Sequence, residues 1–155
     1  MLGSMARKLR ALGFDASYFS HGEDSVMVRV AKSEGRIILT ADADFARVAR
    51  SRGIPAVLVV GETDAERLSS LARGAKADGL PLTRGSPRCS LCGSELRTLG
   101  RKEAEHEVPP TVHARHRDFS KCRSCGKAYW KGSHWKKLRS LARLLETKSD
   151  AALSQ

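Results

Sequence analysis

Apolar positions in the first half of the chain switch repeatedly between a helical spacing and short unbroken runs. Leu2, Met5, Leu9 and Leu12 share one face of a predicted helix over residues 2–12, with Arg7, Lys8 and Arg10 mostly on the other, and Gly13 ends it. Phe14 to Phe19 alternates as a strand does. The polar loop His21-Gly22-Glu23-Asp24-Ser25 then leads to a helix reaching about Glu34, with Val26, Val30 and Ala31 as its buried face and Gly35 as its stop. Ile37, Ile38 and Leu39 read as a strand buried on both faces. Thr40 to Asp44 turn the chain into a helix over about 43–51, with Phe45, Val48 and Ala49 inward and Gly53 after it. Residues 56–60, Ala-Val-Leu-Val-Val, form another buried strand, and a helix from about Asp64 to Ala75 carries Leu68, Leu71 and Ala72. Strands alternating with helices across short Gly-marked loops predict an α/β domain, a parallel sheet flanked by helices, over residues 1–78.

The alternation stops at Asp78. Gly79, Pro81, Gly85, Ser86 and Pro87 mark residues 79–88 as a linker. Beyond it, Cys89-Ser-Leu-Cys92-Gly93 and Cys122-Arg-Ser-Cys125-Gly126 are two Cys-x-x-Cys turns separated by 29 residues, and they hold all four cysteines of the chain. Four thiolates at this spacing suit a closed tetrahedral zinc site in which each turn supplies two sulfurs. Such a site is structural, because four cysteines leave no open coordination position. The glycine after each pair suits a backbone turn of positive φ that lets amides face the sulfurs. Local disulfides or a redox motif are the alternatives; a basic intracellular chain is a poor setting for the first, and the second needs only one pair. Residues 89–148 are thus expected to be a small zinc ribbon with a C-terminal basic helix. That helix runs from about His134 to Glu146 with Leu138, Leu141, Ala142 and Leu145 on one face, and the tail after Thr147 is polar.

Charge sharpens the picture. The 28 Lys and Arg against 17 Asp and Glu leave a net +11, which points to a polyanionic partner, most simply nucleic acid. Residues 89–155 carry net +7 against +4 for the longer segment before them, so the ribbon half is the better candidate for gripping phosphates. There, His113, Arg115, His116 and Arg117 cluster. Tyr129-Trp130-Lys131-Gly132-Ser133-His134-Trp135, followed by Lys136 and Lys137, places aromatic faces beside cations as single-strand binding requires; the alternative is that the aromatics cover a ribbon too small for a core of its own. Val108-Pro109-Pro110 is expected to break regular structure. No apolar run approaches the roughly 20 residues of a membrane span, and a soluble, cytoplasmic protein is expected. In the first half, Asp42 and Asp44 follow the strand 37–39 at its C-terminal end, where open α/β sheets bind ligands, and lie close enough in sequence to address one cation. They equally suit a helix cap and a first-turn acid.

Several segments together resemble a known family. Met1-Leu2-Gly3 with Ala6-Arg7-Lys8-Leu9-Arg10 and Leu12-Gly13-Phe14-Asp15, Glu34-Gly35-Arg36-Ile37-Ile38-Leu39-Thr40-Ala41-Asp42, the two Cys pairs, Val108-Pro109-Pro110 and Tyr129 to Trp135 cover most of residues 1–135. They are similar to the PIN-like ribonuclease family that ends in a zinc ribbon, named for the C-terminal domain of the Mut-seven exonuclease. The resemblance implies a PIN-like fold and metal-dependent cleavage of RNA. Its acidic site would fall on Asp24, beside Glu23, with Asp42 and Asp44, holding Mg²⁺ or Mn²⁺. The expected partner is RNA, free or in the ribosome or a tRNA, and from the basic and aromatic run its grip is expected on Arg115, Arg117, Lys131, His134, Trp135, Lys136 and Lys137. Family members also begin with an apolar strand ending in Asp ahead of the segment matched by Met1-Leu2-Gly3. No counterpart precedes Met1 in this sequence, so the expectation is either a start assigned at an internal Met or a sheet short of a central strand with an acidic site short of one carboxylate. The rival expectation is a non-catalytic RNA-binding or ribosome-associated module.

Overall fold

The computed structural model describes residues 2–20 and 22–146; Met1, His21 and the tail from Thr147 lie outside them. Contacts group the described parts of residues 1–5, 18–82 and 141–155 into one unit and residues 6–17 and 83–140 into another. The helix α1 (Leu2–Ala11) contributes to both groups.

The first unit is α/β. It contains α2 (Asp24–Glu34), β1 (Ile38–Thr40), α3 (Ala43–Ser51), β2 (Ala56–Leu58) and α4 (Asp64–Ala77). The strands β1 and β2 pair in parallel with Ile38 opposite Ala56, Leu39 opposite Val57 and Thr40 opposite Leu58. Alternation along a strand sends Ile38 and Ala56 to one face and Val57 to the other. On the first face Ile38, Phe45, Ala46, Ala49, Ile54, Ala56 and Ala31 form the core, with Met27, Val28 and Leu58 packed on it. On the other face α4 comes so close that a Cβ on Gly74 would stand 2.6 Å from Val57 Cγ1. Burial on both faces, expected from the unbroken apolar runs, follows from this sandwich.

Three local expectations are corrected. The buried face of α2 is Met27, Val28 and Ala31, and Val26 is exposed. The second strand ends at Leu58 rather than Val60, because the Val60 N–H donates to Ser70 Oγ (3.1 Å) on α4 in place of a ladder partner. Residues 14–19 join no sheet among the described residues. Extended backbone becomes a strand only beside an edge that takes its hydrogen bonds. Here the Ala16 carbonyl accepts from a side chain, Arg10 Nε, at 2.6 Å.

The second unit is built on an antiparallel sheet of β3 (Leu96–Leu99), β4 (Phe119–Cys122) and β5 (Ala128–Trp130), in that order. Leu96 lies opposite Cys122 and Phe119 opposite Trp130, so the register carries the second Cys turn at the end of the central strand. Short helices α5 (Arg101–Ala104) and α6 (Pro110–Arg115) bring Ala104, Val108 and Val112 onto Leu99, Phe119 and Ala128 as a small core. The expected break at Val108-Pro109-Pro110 is instead a helix start. Pro110 occupies the first helical position, where its missing N–H costs nothing. The last helix, α7, spans Ser133–Ala142 and stops short of the expected Glu146.

Candidate metal centre

Two hairpin turns of the same shape build the centre. In each, the glycine after the second cysteine has positive φ, +79° at Gly93 and +74° at Gly126, and its N–H returns to the first cysteine's carbonyl. An L side chain disfavours that backbone, so glycine is what the turn requires. In the second turn the amides of Ser124 and Cys125 both point at Cys122 Sγ, each at 3.4 Å. Peptide dipoles therefore converge on sulfur before any metal is considered.

The four sulfurs of Cys89, Cys92, Cys122 and Cys125 lie within 4.8 Å of one another. Cys89 Sγ is 3.6 Å from Cys125 Sγ and Cys92 Sγ is 3.4 Å from Cys122 Sγ. A disulfide would need about 2 Å, and all four cysteines are free. Zn–S bonds of about 2.3 Å in a tetrahedron place sulfurs about 3.8 Å apart, close to what is observed. The donor set fits zinc, in the closed four-sulfur form that serves structure rather than catalysis.

The thiols respond to this crowding in opposite directions. The hydroxyl and amide of Ser94 bring Cys92 down to about 6. Burial raises Cys89, but the amide of Cys92, the Tyr129 hydroxyl and the Leu91 amide outweigh it and leave the thiol below its ordinary value. The amide of Lys127 lowers Cys125, yet the neighbouring Cys89 thiol, burial and the other two thiols push it up to about 11. Four thiolates in one place repel one another, and a bound dication resolves that repulsion.

Tyr129 completes the surroundings. Its hydroxyl lies 3.0 Å from Cys89 Sγ and 3.2 Å from Ser90 Oγ. Burial and the contact with Cys89 push the phenol up to about 12, so at neutral pH it keeps its proton and has an O–H to donate to the sulfur. The aromatic run therefore divides by role: Tyr129 faces the sulfurs, Trp130 is exposed and Trp135 is half-buried.

The acidic residues stand differently. Asp42 N-caps α3, accepting from the Phe45 N–H at 2.9 Å, and its own N–H donates to Thr40 Oγ1 at 3.0 Å. Asp44, in the first turn of α3, accepts from Arg47 at 2.9 Å on an open surface. Asp24 is the first residue of α2, and Glu23, not Asp24, is its N-cap. All three side chains are exposed. Among the described residues the four cysteines are the one group of three or more His, Cys, Asp or Glu placed to hold a metal. The carboxylates share one unit and, for Asp42 and Asp44, the C-terminal end of β1, but they are not gathered around a point.

The basic residues singled out in the sequence, Arg115, Arg117, Lys131, His134, Lys136 and Lys137, all fall in the ribbon unit and are exposed. Lys131 Nζ reaches Asp118 at 3.4 Å. Two residues at the centre were not legible as such. Arg10 reads as part of a polar helix face, yet it is buried; Tyr129 carries no spacing signal toward Cys89. The one available hint is that Ala6 and Arg10 are an i, i+4 pair, which would extend a buried stripe to include the arginine.

No helix among the described residues is long and apolar enough to cross a membrane. A family model described as the Mut7-C RNAse domain matches residues 1–142. No curated protein and no solved structure matches the chain.

Proposed function

The chain belongs to the Mut7-C RNAse domain family, and from that premise we propose that it is a cytoplasmic metal-dependent ribonuclease that hydrolyses RNA phosphodiesters. In this reading the α/β unit cuts and the zinc ribbon grips RNA. The observation that carries it is the family match over residues 1–142 together with the position of Asp42 and Asp44 just beyond the end of β1. A bound Mg²⁺ or Mn²⁺ would supply an activated water and neutralise charge building on phosphorus. Asp42 spends one carboxylate oxygen on the Phe45 amide and keeps the other for a cation. The Asp44–Arg47 pair is highly exposed and therefore weak, so Asp44 can exchange it for a cation at little cost. Asp24 opens α2 in the same unit and is the third proposed ligand. The grip is assigned to Arg115, Arg117, Lys131, His134, Trp135, Lys136 and Lys137, on RNA free or carried by the ribosome or as tRNA.

One observation favours a second reading. The zinc centre is preassembled whereas the three carboxylates are not, which suits an RNA-binding module without catalysis. Cleavage of a labelled, mixed single-stranded RNA with Mn²⁺ and with EDTA separates the two. The nuclease reading expects cutting with Mn²⁺ that EDTA abolishes and that Asp42→Asn lowers by at least about 100-fold. Asparagine caps helices as well as aspartate, so this variant keeps α3. Binding without any cleavage would favour the module.

A further inference from the structure

Arg10 is the most unexpected side chain in the ribbon unit. It is only 9% exposed, and Leu9 and Leu12 beside it are buried too. Its Nε donates to Ala16 O at 2.6 Å, and its Nη1 donates to Leu91 O at 2.8 Å and Ser90 O at 3.3 Å. Ser90 and Leu91 are the two residues between Cys89 and Cys92. The guanidinium also lies against the turn's glycine, since a Cβ on Gly93 would stand 3.3 Å from Arg10 Nε.

The backbone repeats the attachment. The Arg88 N–H donates to Arg10 O and the Gly85 N–H to Gly13 O, both at 2.9 Å. Arg10 O, in the last turn of α1, and Gly13 O, just past the helix, are thus both met by the segment leading into the first Cys turn. Arg88 Nη1 then donates to Gly93 O at 3.2 Å, closing the path back onto the turn. Segment 6–17 and turn 89–93 are one hydrogen-bonded body.

Electrostatics give the contact a direction. Among the described residues Arg10 has carbonyl acceptors but no carboxylate, an expensive setting for a buried cation. Zinc held by four thiolates carries net charge −2, the sign the guanidinium lacks. A bound metal would also fix the turn whose two carbonyls Arg10 needs in place together.

We infer that zinc binding and docking of segment Ala6–Ser17 are a single linked equilibrium, with Arg10 as the positioning residue that couples them. Zinc orders the segment through the turn, and the docked segment slows zinc release. Linkage requires that each event strengthen the other in affinity, and slower release is how the gain on the zinc side is expressed. The inference is independent of whether the chain cleaves RNA.

The test uses the full chain and two readouts. Amide exchange followed by mass spectrometry, with zinc and after chelation, is expected to rise in residues 6–17 by about tenfold or more and to stay unchanged in residues 38–58. Zinc transfer to a chromogenic chelator is expected to be roughly tenfold faster in Arg10→Met, the scale of a lost outer contact to a metal site, and unchanged in Arg7→Met, an exposed arginine of the same helix. Arg10→Lys keeps the charge but not the fork, and is expected to fall between wild type and Arg10→Met. Protection of residues 6–17 that survives chelation would overturn the inference. So would equal loss in residues 38–58, which would mean general unfolding, or an Arg10→Met rate matching that of Arg7→Met. Should Arg10→Met fail to fold, the wild-type exchange comparison decides alone.

Discussion

The ribbon unit and the α/β unit use functional residue types in opposite ways. In the ribbon the metal-ligating side chains are the fold: Cys89 and Cys122 are buried, and the two turns are shaped around their sulfurs. In the α/β unit apolar residues make the fold, and Asp24, Asp42 and Asp44 stand outside it on helix first turns and a cap. A structural metal site must be assembled by the time its domain folds, because the metal supplies folding free energy. A catalytic acid cluster carries no such duty, and mutually repelling carboxylates converge only at a cost that a bound cation offsets.

If this contrast is right, the largest effect comes from removing one sulfur. Cys122→Ser is expected to abolish zinc binding, a loss on the order of 10 kcal/mol of metal-linked stability, and to collapse exchange protection in residues 119–130 while sparing residues 38–58. Zinc content measured together with amide exchange checks this, and retained protection in 119–130 would break the comparison. The α/β unit should fail by a different route. Leu71, fully buried on α4, is expected to cost about 2–5 kcal/mol when cut to alanine, read as a shift in the urea midpoint, with zinc content unchanged.

A finer probe of the ribbon is Tyr129→Phe, which removes the hydroxyl from Cys89 and leaves the ring. Zinc transfer to a chelator is expected to accelerate roughly tenfold, and an unchanged rate would mean the hydroxyl serves only Ser90. The smallest effect lies at the capping box of α4, where Thr63 Oγ1 accepts from the Glu66 N–H and Glu66 accepts from the Thr63 N–H. Thr63→Ala is expected to cost about 1 kcal/mol in the same urea melt. The Glu66 carboxyl is held below its ordinary value, first by the Thr63 amide and then by that of Glu62. A depressed carboxyl stabilises fully above its unfolded value near 4.5, and the stabilisation is lost as pH falls through the folded value. The destabilisation caused by Glu66→Gln should therefore be present at pH 7 and fade in acid.

What could be read along the chain was what depends on near neighbours. The Cys turns were legible because ligand spacing and the following glycine are local, and β1, α3 and α4 because their apolar periods are unbroken. Asp42 was legible as a helix cap, and that cap is made. The stretch Phe14–Phe19 was not, because alternation states only what a strand would need, and no sheet edge takes its hydrogen bonds. Pro110 misled for the same reason: proline stops a helix from within but starts one at its first position. Arg10 and Tyr129 lie 79 and 40 residues from Cys89 in sequence, so their roles exist only once the chain has folded.

The division of labour between the units is tested most directly by measuring binding and cleavage of one labelled single-stranded RNA in the same Mn²⁺ samples of wild type, Asp42→Asn, and a variant with Lys136→Glu and Lys137→Glu. The account predicts that Asp42→Asn binds as wild type does and does not cut, whereas the double Lys variant loses binding by roughly tenfold or more and cuts at saturating RNA. Cleavage undiminished in Asp42→Asn, or RNA binding unaffected by reversing both lysines, would contradict it.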